Sequence, residues 1–575
     1  MKRLSLLFSA VFAVCSLMAR PAHRGQAQVT QPDGSLLTIC LHGDEWQSFS
    51  TTSDGYTVVK DQQGYYVYAQ LKDGMLKASS QMAHNAESRT QEEKAYLRNT
   101  QKHLKPEMVP QTVETKRLGR SRQQQTLADR RTSGYDYNNF RGLVILVEFT
   151  DMQFSRNDYH DLLNDMINKE NYTGFDDQQY SGSVRDYFND NSMGKFKPAF
   201  DVIGPFQINH SQYEGRMNTL DLINDALNIA DGSVNYADYD GDNDGKVDLV
   251  FFVFAGYGSC FAGNDERLLW PHRSVIRNNG NLVKKDGVRF YDYACSVEMF
   301  GLKDYAVIDG IGTICHEFSH VLGLPDFYDT DYEENGQSIT PDDWSLMAGG
   351  VDFNNGRTPI GYSLYERWSV GFADDPQEIS AEGAYVLNPL STSNTGYLMN
   401  TPVSNEYFLF ESRHKNMFKW DQYLPGSGML VHRVDKTNLW AWTNFQVNSN
   451  PEHNYYQVVK AMGDGNPTTN QGHTGSPYDV FPGRGKVKTL HSATSPANLK
   501  TWNGTNTPWA LYNIAMSKGV VTFDVTAFVA PDPSDIRLQQ GDSPSADVLY
   551  NLAGQRVAND YKGLVIKNGK KFVVK

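Results

Sequence analysis

The sequence predicts a multidomain protein: a mixed α/β domain in the middle, an all-β sandwich after it, and a small β-rich region before it. Three observations lead there. The chain has 575 residues, and single hydrophobic cores stop growing near about 250–300 residues. Between residues 136 and 375, continuous apolar runs alternate with helical patterns, as buried strands and their covering helices do. From 376 to 527, short aromatic and β-branched runs recur between turn residues, the pattern of a sandwich.

The elements follow in order. Lys2 and Arg3 precede an apolar run from Leu4 to Met18, and small Ala19 closes it. Residues 1–19 therefore read as an export signal, and the protein as secreted or displayed at the cell surface. The run is too short for a comfortable membrane span, and no later stretch is apolar enough for one. Residues 20–90 form the β-rich region, with "SLLTICLHGDE", "DGYTVVKD" and "GYYVYAQLKDG" divided by Asp-Gly and Gln-Gly turns. Residues 91–135 include "KRLGRSRQQQTLADRR", which is basic and nearly free of large apolar side chains. Such a segment cannot bury enough surface to fold alone. It reads as an exposed linker, open to a trypsin-like activating protease.

In the middle domain (136–375), "GLVILVEF" from Gly142 to Phe149 reads as a strand buried on both faces, and "LVFFVFA" from Leu249 as a second. "DYHDLLNDMINK" and "TLDLINDALNIA" read as helices. "YFLFESR", "GMLVHRVD", "NYYQVVKAM" and "VVTFDVT" are strands of the sandwich (376–527), and "APDPSD" leads into a tail at 528–575. The composition, 39% hydrophobic and 21% charged, is that of a soluble globular protein. The net charge of −14 argues against a nucleic-acid partner. Cys40, Cys260, Cys295 and Cys315 lie far apart and form no CxxC or visible disulfide framework.

One stretch carries chemistry. In "DGIGTICHEFSHVLGLPDFYD", Ile311, Ile314, Cys315, Phe318 and Leu322 recur at helical spacing and form a core face. His316 and His320 are four apart and project from one side of that helix. Two imidazoles so placed reach one Zn2+ at about 2.0–2.1 Å. Glu317 stands beside them as a general base for a water at the metal. Gly323 suits the left-handed turn that ends a helix, and Pro325 prevents continuation, so Asp326 can return beneath the metal as third ligand. Glu366 in "SLYERW" is a rival third ligand. "DWSLMAGG" places Met347 in a tight turn that can pass under the site.

HEFSHVLGLPD followed by SLMAGG resembles the M6 family of metallopeptidases, the immune inhibitor A type, grouped with the metzincins. "GLVILVEFTD", "GSVRDYFNDNSMGKFK", "DYDGDNDGKVDLVFFVFAG" and "LLWPHRS" look like that family's upstream blocks. "NEYFLFESR" and "YLPGSGMLVHRVD" resemble its later β region, and "LHGDEW" and "TTSDGYTVV" its pro-region. The resemblance implies a metzincin-like zinc endopeptidase made as a zymogen. It implies His316, His320 and Asp326 as ligands, Glu317 as base, Met347 as the Met-turn, and protein or peptide substrates. Two other readings stand beside it: a catalytically silent surface adhesin on the same fold, and a zinc hydrolase of a non-protein amide.

"DYDGDNDGKVD" is a second metal signal. Asp240, Asp242, Asp244 and Asp248 around Gly245, with the Lys246 carbonyl, form a hard-oxygen cage for structural Ca2+. A solvated acidic turn is the plainer alternative. His272 is a candidate for the cleft, and Tyr362 and Tyr365 stand where some metzincins place an oxyanion-stabilising tyrosine, with structural or core roles as the expectation; His432 lies on a strand and reads as structural. Cys40 is a candidate zinc ligand for latency, against a buried thiol. The tail "YNLAGQRVANDYKGLVIKNGKKFVVK" is similar to C-terminal sorting segments of secreted Bacteroidetes proteins. Oligomeric state is not legible.

Overall fold

The computed structural model describes residues 22, 26–105, 137–530 and 549–574, apart from short stretches at 44–47, 73–74, 216–217, 262–264, 266, 279–280, 302–304, 331–337, 464–474, 552–555, 558–560 and 568–569. The expected export signal and residues 106–135 of the expected linker lie outside the described residues. Met1–Phe528 forms one compact unit and Val529–Lys575 a second.

The N-terminal region is a six-stranded antiparallel meander: β1 (Gln26–Thr30), β2 (Leu36–Gly43), β3 (Ser48–Thr52), β4 (Thr57–Lys60), β5 (Tyr66–Lys72) and β6 (Met75–Met82). The Asp-Gly and Gln-Gly turns fall where the sequence puts them, with Gly55 and Gly64 at positive φ. The linker, however, begins later than expected. Residues 91–97 form helix α1 (Gln91–Leu97), capped by the Thr90 side chain. Fully buried Glu93 accepts a hydrogen bond from the Tyr68 hydroxyl at 2.7 Å. Arg89 pairs with Asp54 at 2.6 Å, and Thr57 Oγ1 donates to Leu104 O at 2.9 Å. Residues 91–105 thus belong to the β-rich region. Their anchors are polar and charged, so a search for apolar periodicity passes over them.

The middle domain is built on a twisted sheet flanked by helices. In chain order it contains β7 (Arg141–Glu148), α2 (Tyr159–Asn168), α3 (Val184–Asn191), β8 (Ala199–Gln207), α4 (Thr219–Ala230), β9 (Val250–Tyr257), β10 (His272–Val275), β11 (Asp292–Phe300) and α5 (Gly312–Val321). The sheet order is β8-β7-β9-β11-β10; the first four strands are parallel and β10 runs antiparallel at the edge. The two apolar runs are buried on both faces, as the sequence predicts. Leu143, Ile145, Val147, Val250, Phe252 and Phe254 face a core shared with α4. Val144, Leu146, Phe251 and Val253 face a second core shared with α2, α3 and α5. Helix α5 packs against β11 and β10.

After α6 (Leu364–Ser369) come β12 (Gln377–Glu378), β13 (Gly383–Leu387), β14 (Tyr397–Asn400), β15 (Glu406–Arg413), β16 (Gly428–Asp435), α7 (Leu439–Thr443), β17 (Tyr456–Val458), β18 (Trp509–Ser517) and β19 (Val520–Ala527). They make a five-stranded sheet, β12-β14-β15-β16-β17, and a three-stranded one, β13-β19-β18. The two sheets enclose a core of Phe408, Phe410, Met429 and Val431 against Leu511, Val521 and Phe523. The sandwich expectation is met in the sheets but not in their separateness. The alternate residues Tyr407, Leu409, Leu430 and Val434 point the other way, into the core that contains α5. Every residue of β15 and β16 is buried. The five-stranded sheet is a wall between two cores, and residue 375 is not a boundary of packing.

The second unit contains β20 (Leu549–Asn551), β21 (Arg556–Val557), β22 (Gly563–Lys567) and β23 (Lys570–Val574), an antiparallel sheet in the order β21-β20-β22-β23. Among the described residues no helix is long and apolar enough to cross a membrane.

Candidate metal centre

Helix α5 carries the site. The Thr313 hydroxyl donates to Asp309 Oδ2 at 2.6 Å near its start. Its expected core face is buried, with Ile311, Ile314, Cys315, Phe318 and Leu322 all in the core that also contains α2 and α3. Gly323 ends it at φ +106°, a conformation that side chains with a Cβ rarely adopt. Gly323 N donates to His320 O and Leu324 N to Ser319 O, closing the turn. The chain reverses and Asp326 comes back to the histidines. Its Oδ1 lies 3.2 Å from His316 Nε2 and 3.4 Å from His320 Nε2. The two Nε2 atoms are 3.1 Å apart.

The other ring nitrogens decide what these atoms are. His316 Nδ1 lies 3.0 Å from the Leu346 carbonyl, and His320 Nδ1 lies 2.8 Å from the Leu324 carbonyl. A carbonyl only accepts, so each Nδ1 carries the proton, and each Nε2 of a neutral ring presents a lone pair. Two imidazole lone pairs and a carboxylate oxygen then face one another at 3.1–3.4 Å. Such a trio repels itself unless a cation lies between. Ligands at about 2.0–2.1 Å on a tetrahedron are about 3.3–3.4 Å apart, which matches the observed triangle. Carbonyl partners on Nδ1 are also how metal-bound histidines are oriented.

The site is deeply set: His316 and Glu317 are 0% exposed, His320 2% and Asp326 3%. Burial lowers the His316 pKa and favours the neutral ring. Burial opposes ionisation of the Asp326 carboxyl, and positive charge shared within the group of two rings and carboxylate is what holds its pKa below the usual value. Neutral imidazole and ionised carboxylate are the states that bind a metal.

Glu317 follows His316 on the helix, and its charge reaches Cys295 on β11. Burial, with that carboxylate's help, pushes the Cys295 thiol pKa well up. Met347 is buried, and its carbonyl accepts from Phe327 N, the residue after Asp326, at 2.8 Å. Glu366, the rival ligand, is engaged elsewhere. Its Oε1 accepts from Ser345 Oγ at 2.6 Å and from Met347 N at 3.3 Å, and its Oε2 from Ser363 N at 2.6 Å. It stands behind the methionine turn, outside the His316–His320–Asp326 group.

In the acidic loop the carboxylates of Asp240, Asp242 and Asp244 converge, each with an oxygen within 4.8 Å of the others. Asp240 accepts from Asp244 N and Gly245 N, and Asp242 from Asp244 N. Lys246 brings its ammonium to Asp244 Oδ2 at 2.5 Å. Asp248 is turned away: it is buried, and its Oδ2 accepts from Gly241 N at 3.2 Å. The expected four-carboxylate cage is thus three carboxylates and a fourth that braces the loop backbone.

The weaker candidates take structural places. His272 lies on β10 between the Trp270 carbonyl and the Tyr293 hydroxyl, each at 2.7 Å, and burial pushes its pKa down to about 4. Tyr362 is buried under α5, bonded to Ser319. Tyr365 packs against Phe327 and Tyr456. His432 stacks on Tyr456 and faces Glu411. Cys40 is half-buried on β2 and is in no disulfide; Cys315 is in the core.

Residues 136–367 match the family model of the immune inhibitor A peptidase M6 catalytic domain. Residues 136–367 are therefore a peptidase domain of the M6 type. Pre-pro-metalloprotease PrtV of Vibrio cholerae is 26% identical over 250 residues, 36% of this chain and 27% of that protein. Immune inhibitor A of Bacillus thuringiensis subsp. alesti is 26% identical over 273 residues, 40% of this chain and 39% of that protein. The chain therefore spans well under half the length of both relatives. The M6 match begins just before β7 and stops inside α6, so it contains the whole His316–Asp326 segment and the Met347 turn.

Sequence reasoning did not find the Leu346 and Leu324 carbonyls that orient the M6 histidines. A main-chain oxygen leaves no residue-type signal. It also placed Glu366 near the site without its contact to the turn; "SLYERW" does carry the Ser-x-x-Glu pattern of a capping box.

Proposed function

We propose that this M6 protein is a secreted zinc-dependent endopeptidase of the metzincin type, made as a zymogen and acting on protein or peptide substrates. The observation that carries the reading is the convergence of His316 Nε2, His320 Nε2 and Asp326 Oδ1 with both Nδ1 atoms held by carbonyls. An imidazole–imidazole–carboxylate set fits zinc in a site that keeps a fourth position open. When bound, the ion supplies Lewis acidity, polarising a peptide carbonyl and lowering the pKa of water toward about 7. The Glu317 carboxylate takes the proton of the attacking water and delivers it to the amine nitrogen as the C–N bond breaks. Met347 supplies the apolar floor beneath the histidines. Asp240, Asp242 and Asp244, with the Lys246 carbonyl, would hold a structural calcium ion in the loop leading into β9. The β-rich N-terminal region serves as the pro-unit.

The test is Glu317→Gln in the processed protein, with zinc content and casein turnover measured together. Zinc should stay at wild-type stoichiometry while turnover falls about 10²–10⁴-fold, the usual worth of a positioned base. Wild-type caseinolysis that survives removal of the metal by a chelator would defeat the reading.

A further inference from the structure

The carboxylate of Glu366 is used in a way its place in a helix cap does not require. A capping glutamate needs one oxygen on the N-cap amide, and it ordinarily does so in solvent. Here Oε2 does that, on Ser363 N at 2.6 Å. Oε1 instead leaves the helix and takes Ser345 Oγ at 2.6 Å and Met347 N at 3.3 Å. Ser345 Oγ in turn accepts from Met347 N at 3.1 Å. The side chain is fully buried, so these donors have no water to replace it. Its helix is fixed in the same way from behind, because Leu364 N donates to the buried Glu411 carboxylate of β15.

Between Ser345 and Met347 stands Leu346, whose carbonyl receives Nδ1–H of His316 at 3.0 Å. A carboxylate that pins the residues on both sides of a peptide carbonyl fixes where that carbonyl points. We propose that Glu366 is a positioning residue of the metal centre: it clamps Ser345 and Met347 so that the Leu346 carbonyl holds His316 in the ligating tautomer and aims Nε2 at the ion. His320 has no such dependence, since its carbonyl, Leu324, belongs to the Gly323 turn of its own helix. The two histidines are thus oriented from different elements, one from α5 itself and one from α6 through the methionine turn.

The inference rests on the zinc reading above, and its test separates the two. The full-length chain, its Glu366→Gln variant and its Ser345→Ala variant are loaded with zinc, and the rate of zinc loss to excess chelator is measured. The visible spectrum of each cobalt-substituted form and the melting temperature of each metal-free form are recorded as well. Loss of an outer partner of a ligating histidine typically weakens metal binding about 10–100-fold. Glu366→Gln should therefore lose zinc faster by about that factor, and Ser345→Ala by less in the same direction. The cobalt spectrum should shift in both, which a fold merely loosened elsewhere would not produce. Rates within about twofold of wild type together with an unchanged cobalt spectrum would overturn the inference. If Glu366→Gln does not fold, Ser345→Ala decides by the same two readouts. A wild-type chain that takes up no zinc would defeat the metal reading itself.

Discussion

Phe318→Ala tests how the active-site helix is held. Phe318 lies between the two histidines in sequence and points to the opposite side of α5, where it is 0% exposed. Its ring meets Phe188 at 4.8 Å, Phe140 at 5.2 Å, Phe200 at 5.5 Å and Phe196 at 5.9 Å between centroids. Truncating a buried phenylalanine costs about 3–5 kcal/mol in lost transfer energy and cavity. Aromatic pairs add about 0.5–1.5 kcal/mol each beyond their area. Phe188 lies on α3 and Phe200 on β8, and all four rings are themselves buried, so the space cannot close easily, and the cost belongs near the top of the range, about 4–5 kcal/mol. Each kcal/mol moves the midpoint by about 2–4 °C in a domain of 150–250 residues, and by less in a larger one. A fall of about 10 °C is expected by calorimetry on the zinc-loaded protein, with faster zinc loss to chelator at lower temperature. Phe318→Leu, which keeps most of the volume, should cost about 1–2 kcal/mol. A melting temperature for Phe318→Ala within about 2 °C of wild type would show that the ring is not packed as described, and the helix placement would fall with it.

Three further outcomes are expected. Asp326→Ala should fail to retain zinc through gel filtration, because only His316 and His320 would be left of the trio; retention of stoichiometric zinc would move the third ligand elsewhere. The full-length chain should be latent until cut between Lys116 and Arg131, so limited trypsin treatment should raise caseinolysis; full activity with that segment intact would refute a zymogen. Calcium at a hundred times its dissociation constant should stabilise the M6 domain by about 2.7 kcal/mol; Asp242→Ala should abolish that calcium-dependent shift, and an unchanged shift would place the cage elsewhere.

What the sequence disclosed was what repeats or stands alone. The apolar runs at Leu143 and Val250 fit strands covered on both faces, and the histidine spacing with the Gly323 turn favoured Asp326 over Glu366 as their partner. Contacts made by backbone carbonyls, or between segments far apart in the chain, left no such mark. Nothing in "DWSLMAGG" says that the Leu346 oxygen meets His316, and nothing in "YFLFESR" says that Tyr407 and Leu409 face a different core from Phe408 and Phe410. The α1 helix was missed for another reason. It is held by Glu93 and Arg89, residues whose burial is paired and hydrogen-bonded, whereas the usual signal of a packed helix is apolar.

The wall formed by β15 and β16 has a consequence for what counts as a module. The family match ends at residue 367, within α6. The wall lies beyond that point and closes the core under the active-site helix with Tyr407, Leu409, Leu430 and Val434. A fragment cut to the limits of sequence similarity would keep His316, His320 and Asp326 and lose the surface they are built against. Over evolution, such a strand pair cannot be exchanged like an appended domain. A substitution on one of its faces is felt by the catalytic core, and one on the other by the three-stranded sheet, so the two halves must change together. The second compact unit begins only at Val529, far beyond the end of the family match.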